Sequence, residues 1–232
     1  MRPSIGFAAV KLIEASGCDV DVPTAQTCCG QPAYNSGDKA TTREIACRTI
    51  EAFEAFDYVV APSGSCAGML KTHYPELLAG DRAWESKAKA FAAKVHELIS
   101  FLVDVRGMQG VDATFEGRVT YHDSCSGLRE LGVREQPRKL LKTVKGLELV
   151  ELTDADVCCG FGGTFSVKHG DISSAMADVK CRNAQATGAD ALVLGDLGCM
   201  LNIEGRLRRR GDQHTQVLHV AEVLAGPLEG ED

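Results

Sequence analysis

The residues of this 232-residue chain best suited to chemistry are its ten cysteines, at positions 18, 28, 29, 47, 66, 125, 158, 159, 181 and 199. Four of them form two adjacent pairs, each followed by glycine: Cys28-Cys29-Gly30 and Cys158-Cys159-Gly160. Thiolates are soft ligands for zinc and iron and are also the reactive form in redox exchange. Ten cysteines are too sparse here for a small disulfide scaffold. The N-terminal stretch MRPSIGFAAVKLIEASG carries Lys11 and Glu14 inside it, unlike a secretory leader. A reducing cytoplasm that keeps the cysteines as thiols is therefore expected, and metal or redox chemistry is the first reading.

The cysteines repeat in register. From Cys29 to Cys66 there are 36 intervening residues, and from Cys159 to Cys199 there are 39. Cys47-Arg48 and Cys181-Arg182 align inside those spans, and each half closes on an apolar run, VHELISFLVDV and VLHVAEVLAG. Two modules, 1–110 and 111–232, are the economical division.

The elements that must position these residues alternate between strand and helix. Val59-Val60, Val119–Tyr121, Leu147–Leu152 and Ala191–Leu194 read as buried strands. Helical spacing appears in Ala46, Thr49, Ile50, Phe53 and Phe56, and again in Trp84, Ala88, Phe91, Val95, Leu98 and Leu102. It recurs in Ile172, Ala175, Met176 and Val179, while Pro3 and Gly17 bracket a first helix. The expected fold class is α/β, with mostly parallel strands, flanking helices and two modules related by a pseudo-twofold. Cys66, Cys125, Cys158-Cys159 and Cys199 then fall in loops at the C-terminal ends of strands, where α/β sheets build their sites.

Cys125, Cys158, Cys159 and Cys199 supply four thiolates from three segments, a set that suits tetrahedral zinc or an iron–sulfur cluster. Neighbouring residues of an extended chain point opposite ways, which favours a cluster several ångströms across over one small ion. Cys28, Cys29 and Cys66 form the matching set in the first module. Buried inert thiols, or a vicinal disulfide at each pair, are the competing structural readings. Ser63, Ser65, His122 and Asp196 lie close to these cysteines in sequence; His122 could donate a hydrogen bond to a cluster sulfur or carry a proton. Cys18, Cys47 and Cys181 read as packing thiols.

The strings QTCCGQPAYNSGD, YVVAPSGSC, GRVTYHDSCSGLRELG, CCGFGGTFSVKHGDIS and RLRRR resemble the lactate utilization protein A family. That family belongs to the cysteine-rich CCG-domain proteins, which include the CCG-bearing component of heterodisulfide reductase and the iron–sulfur component of glycolate oxidase. The resemblance runs from Pro3 to about Ala225. It implies a cytoplasmic iron–sulfur oxidoreductase component, with one or two 4Fe-4S-type clusters on the cysteines named above. It also implies electron transfer alongside companion iron–sulfur and small-subunit proteins in oxidising L-lactate to pyruvate. Family members begin with a strand ending in a further Cys, so the first module is expected to lack that strand and that ligand. Where the heterodisulfide reductase pattern closes with CxxC, this chain has SGSC and DLGC, with Ser63 and Asp196 in the first positions. This weighs against five-thiolate clusters and against heterodisulfide chemistry. A non-redox scaffold holding structural zinc is the rival reading.

Composition excludes other classes. Twenty-five Lys plus Arg against 32 Asp plus Glu give a net charge of −7, unlike a duplex nucleic-acid binder. No stretch reaches the roughly 18 uninterrupted apolar residues of a membrane helix. The GFGG run at 160–163 lacks dinucleotide-binding spacing. Arg206, Arg208, Arg209 and Arg210 form a basic run, read as a solvated face or a docking patch. No residue set reads as catalytic for hydride or flavin chemistry.

Overall fold

The computed structural model describes residues 2–227. The first half runs α1 (Ser4–Ala15), α2 (Gln31–Asn35), α3 (Lys39–Ala52), β1 (Val59–Ala61) and α4 (Gly64–Gly68). A π-helical turn, Met69–His73, leads into α5 (Tyr74–Leu77), followed by α6 (Glu85–Ala93), β2 (Val95–Glu97), α7 (Leu98–Ser100) and a second π turn, Phe101–Val105. The second half runs β3 (Thr114–His122), α8 (Cys125–Leu131), α9 (Glu135–Leu141), β4 (Lys145–Val150), α10 (Thr164–Lys168), α11 (Gly170–Ala186), β5 (Ala191–Leu194), α12 (Leu197–Arg209), β6 (Gln216–His219) and α13 (Val220–Ala225).

All strand pairs are parallel. The second half builds a four-stranded sheet in the order β4-β3-β5-β6, and the first half pairs only β1 with β2. Central β5, Ala-Leu-Val-Leu, is buried at every position, as a strand covered on both faces must be. The order places β4 on one side of β3 and β5 on the other. Successive crossovers therefore leave in opposite directions and open a crevice at the carboxyl ends of β3 and β5.

Both halves close in the same way. β2 passes through Glu97 into α7, and β6 passes through His219 into α13, each cap residue accepting a helix N–H on its side chain. The spacing from Trp84 to Leu102 predicts one helix, and here the structure differs. The helix stops at Ala93, and Lys94 sends its ammonium to the carbonyls of Phe53, Glu54 and Phe56. Val95–Glu97 then pairs with Val59–Ala61. Sheet hydrogen bonding and burial of Val95 outweigh the helical periodicity.

The main core draws on both halves. Ala8, Leu12, Leu98 and Phe101 pack in one cluster with Val119, Leu140, Val193 and Leu224. Two smaller clusters lie under the cysteines: one gathers Cys159, Cys181, Cys199, Met200 and Ile203, and the other gathers Cys29, Ala46, Met69, Tyr74 and Phe91. The predicted apolar face of α11 is corrected. Ile172 and Val179 are exposed, and the buried face is Ser173, Ala177, Lys180, Cys181 and Ala184.

Candidate metal centre

The second-half cysteines arrive from three segments at the crevice. Cys125 opens α8 directly after β3, where the Ser124 hydroxyl accepts the Gly127 N–H (3.2 Å). Cys199 lies in the first turn of α12, directly after β5, and the Asp196 carboxylate accepts the N–H groups of Gly198 (3.1 Å) and Cys199 (3.2 Å). These two cysteines, like Cys66 at the start of α4, sit in first helical turns rather than irregular loops. Cys158 and Cys159 lie in the segment between β4 and α10.

The glycine after each pair has a backbone reason. Gly30 (φ +82°) and Gly160 (φ +87°) are both left-handed, and a β-carbon at Gly160 would stand 2.7 Å from the Ser173 carbonyl oxygen. The chain turns sharply there, and the Cys158 and Cys159 thiols shift one another, Cys158 down and Cys159 up. The sulfurs of Cys159 and Cys199 lie within 4.8 Å of each other, Cys125 and Cys158 shift one another's thiol, and all four residues line one cavity.

Cys158 has the lowest-titrating thiol of the four. Hydrogen bonds from Cys125, then Cys159, then the Gly160 N–H (3.3 Å), hold its thiol well below the usual range. Cys125 and Cys159 are pushed up by donating to it, and burial adds to the effect. In the first half, Cys29 and Cys66 hydrogen-bond in the same manner, with Cys29 raised and Cys66 lowered, while Cys28 is exposed beside them. Tyr74, fully buried, donates its hydroxyl to the Cys29 carbonyl (2.9 Å). All ten thiols are free.

Asp196 ties the two sets together. One carboxylate oxygen caps α12, and the other accepts from the Ser63 hydroxyl (3.0 Å) and the Ser65 N–H (2.8 Å) beside Cys66. Gly64 and Gly127 meet where α4 crosses α8, with no space for a side chain on either. Ser63, Ser65 and Asp196 thus act on each other and on the cysteine-bearing turns.

His122 ends β3 with no solvent exposure. Its Nδ1 lies 3.0 Å from the Ala155 carbonyl oxygen, which can only accept, so this nitrogen carries the proton. Burial drives the ring's pKa down to about 4 and keeps it neutral. The expectation that His122 donates to a cluster sulfur is corrected: the one N–H of the neutral ring is spent on Ala155.

Sequence reasoning missed the groups that hold these loops. Arg138 of α9, nearly buried, forms a two-pronged pair with Asp123 (2.8 and 2.9 Å), bonds Glu151 (2.9 Å) and lies over the Tyr121 ring. Lys180 of α11 donates to the Asp154 carbonyl, just ahead of Cys158. Both are cations in polar stretches, and their partners are set by loop shape. Of the basic run, Arg206 and Arg210 are engaged with Asp178, and Arg208 bonds the Asp212 and Thr215 carbonyls. Cys18 and Cys47 pack against the cores and Cys181 is fully buried.

The four second-half thiols open onto a cavity of about 480 Å³. Tyr34 and His73 of the first half line the same cavity, with the Tyr34 hydroxyl 3.4 Å from His73 Nδ1. Among the described residues no helix is long and apolar enough to cross a membrane.

The cysteine-rich domain family, CCG, matches residues 1–71 and 119–204, the segments that carry all seven cysteines of the two sets. The chain is 57% identical over 219 residues to the lactate utilization protein A of Geobacillus sp. (strain WCH70), covering 94% of this chain and 91% of that one. It is 54% identical to that of Geobacillus kaustophilus (strain HTA426), covering 95% and 91%, and 49% identical to that of Bacillus subtilis (strain 168), covering 96% and 93%. With the domain matched over more than half of its length and the relatives matched almost end to end, the chain belongs to the lactate utilization protein A family of cysteine-rich CCG-domain proteins.

Proposed function

We propose that this protein is the iron–sulfur, electron-carrying component of a cytoplasmic system that oxidises L-lactate to pyruvate. What supports the reading is that Cys125, Cys158, Cys159 and Cys199 all line one cavity of about 480 Å³. A structural zinc ion is enclosed by its four ligands and needs no adjoining space. Four thiolates beside an open cavity fit a larger inorganic group, a 4Fe-4S-type cluster, which supplies reversible one-electron storage when bound.

The protein's own work is to hold and tune. Cys125, Cys158, Cys159 and Cys199 present the ligand sulfurs. The Gly160 N–H stabilises negative charge on Cys158, and burial of Cys159 and Cys199 keeps water from the inner side of the site. Cys28, Cys29 and Cys66 are the corresponding holders in the first module, and Asp196 fixes the spacing between the two. In this reading the protein stores and passes electrons, and companion proteins take part in the lactate oxidation. Heterodisulfide chemistry is disfavoured because Ser63 and Asp196, at the CxxC positions, are hydrogen-bonded to each other.

Cys158→Ser and Cys159→Ser test the ligand assignment in protein purified without oxygen. Each is expected to remove the second site's iron and sulfide while far-UV circular dichroism keeps its helical signal. Full iron in both variants overturns the assignment.

A further inference from the structure

We infer that His122, through Nε2, is itself a metal ligand of the second site, beside Cys159 and Cys199. The inference rests on the reading of that site as a metal centre and goes beyond its cysteines. A ring nitrogen of His122 and the sulfurs of Cys159 and Cys199 all lie within 4.8 Å of one another, and all three residues are buried. Nδ1 is committed to the Ala155 carbonyl, so the nitrogen left for the site is Nε2. It is a bare lone pair with no hydrogen-bond partner among the described residues.

Several contacts fix the ring in this state. The Ala155 carbonyl that receives Nδ1–H also accepts the Asp123 N–H (3.1 Å), and the Lys180 ammonium stands 3.5 Å away. Asp123 is in turn clamped by Arg138. The second nitrogen of a metal-bound histidine is typically donated to a backbone carbonyl or carboxylate, which sets the tautomer and the ring plane. That is the arrangement here. A lone pair directed at sulfide or thiolate sulfur would meet like charge, whereas one directed at a metal atom meets an electrophile. As a neutral ligand beside the four thiolates, an imidazole adds no negative charge, so the centre holds a higher reduction potential than it would with a further thiolate in that place.

The test is pulsed EPR of dithionite-reduced protein purified without oxygen, at natural abundance and with ¹⁵N-histidine. Strong coupling to a histidine nitrogen is expected, shifting to the ¹⁵N pattern on labelling. In His122→Cys, iron and sulfide are retained, the coupling disappears and the reduction potential falls. Iron and sulfide present without histidine coupling overturn the inference and leave the cluster reading intact, as does coupling that survives in His122→Cys. The labelled native protein decides the point even if the variant misfolds. Protein without iron or sulfide refutes the cluster reading instead. The His122 assignment is then tested by loading ¹¹³Cd²⁺, where absence of ¹¹³Cd–¹⁵N coupling overturns it.

Discussion

Glu97 shows how single side chains hold this molecule in a particular protonation state. Its carboxylate is buried at the end of β2, where one oxygen accepts the Ser100 N–H (2.9 Å). Burial raises its pKa from 4.5 to about 7, with the Asp104 and Asp196 charges adding to the shift. Because the folded state prefers the proton more than the unfolded chain does, the associated stability is complete below about pH 4.5. It is lost as pH rises through about 7, and amounts to roughly 3 kcal/mol. Glu97→Gln keeps an acceptor for Ser100 and cannot ionise. Thermal melts of this variant are expected to fall less between pH 5 and pH 8 than those of the native chain; an identical fall would show that Glu97 is not the group responsible. At this scale the sequence was partly legible. The seven cysteines stand out because paired and spaced thiols are rare by chance. Arg138, Lys180 and the tautomer of His122 do not, because each is defined by a carbonyl or carboxylate that only the folded loops bring near.

Among the elements, the turn after each cysteine pair is the one on which the site depends. Gly160→Ala must place a side chain at φ +87° and against the Ser173 carbonyl at the start of α11. We expect it to cost at least about 1–3 kcal/mol and to lower metal content. Gly6 is the matched control. It lies on the exposed side of α1 with nothing near its missing β-carbon, so Gly6→Ala is expected to be neutral or to stabilise by about 0.5–1 kcal/mol. Chemical denaturation compares the two, and equal stabilities would contradict the turn argument. Periodicity and apolar runs located α3, β1, β3 and β5 because each has a face or a run long enough to dominate its neighbourhood, and α1 was marked by Pro3 and Gly17 at its ends. It failed at β2, where three residues continue a helical spacing but are captured by β1. It also failed on α11, whose apolar stripe of Ile172 and Val179 is solvent-facing while Lys180 and Cys181 point inward. The parallel between VHE and VLH in the closing runs held the clue to β2, since β6 occupies the same place in the second half.

At the scale of the whole molecule, the two cysteine sets belong to one packed body. Helix α1 packs on α13, and the main core takes residues from both halves. The halves are nevertheless unequal, with four strands in the second and two in the first. Residues 18–23, between α1 and the first pair, join no strand and border a cavity of about 600 Å³ against β1. The internal repeat was legible because the cysteine spacings survive in both halves. The shared core was not, because it is a property of how the halves meet. Asp196 is where this matters most, since one carboxylate sets the turns of Cys66 and Cys199 together.

The central claim is that thiols from separate stretches of the chain hold one inorganic centre. Iron, zinc and acid-labile sulfide, measured together on native protein purified under argon, test it most directly. Iron with equimolar sulfide, a broad visible absorption bleached by dithionite, and at most trace zinc are expected. Stoichiometric zinc with no sulfide would contradict it.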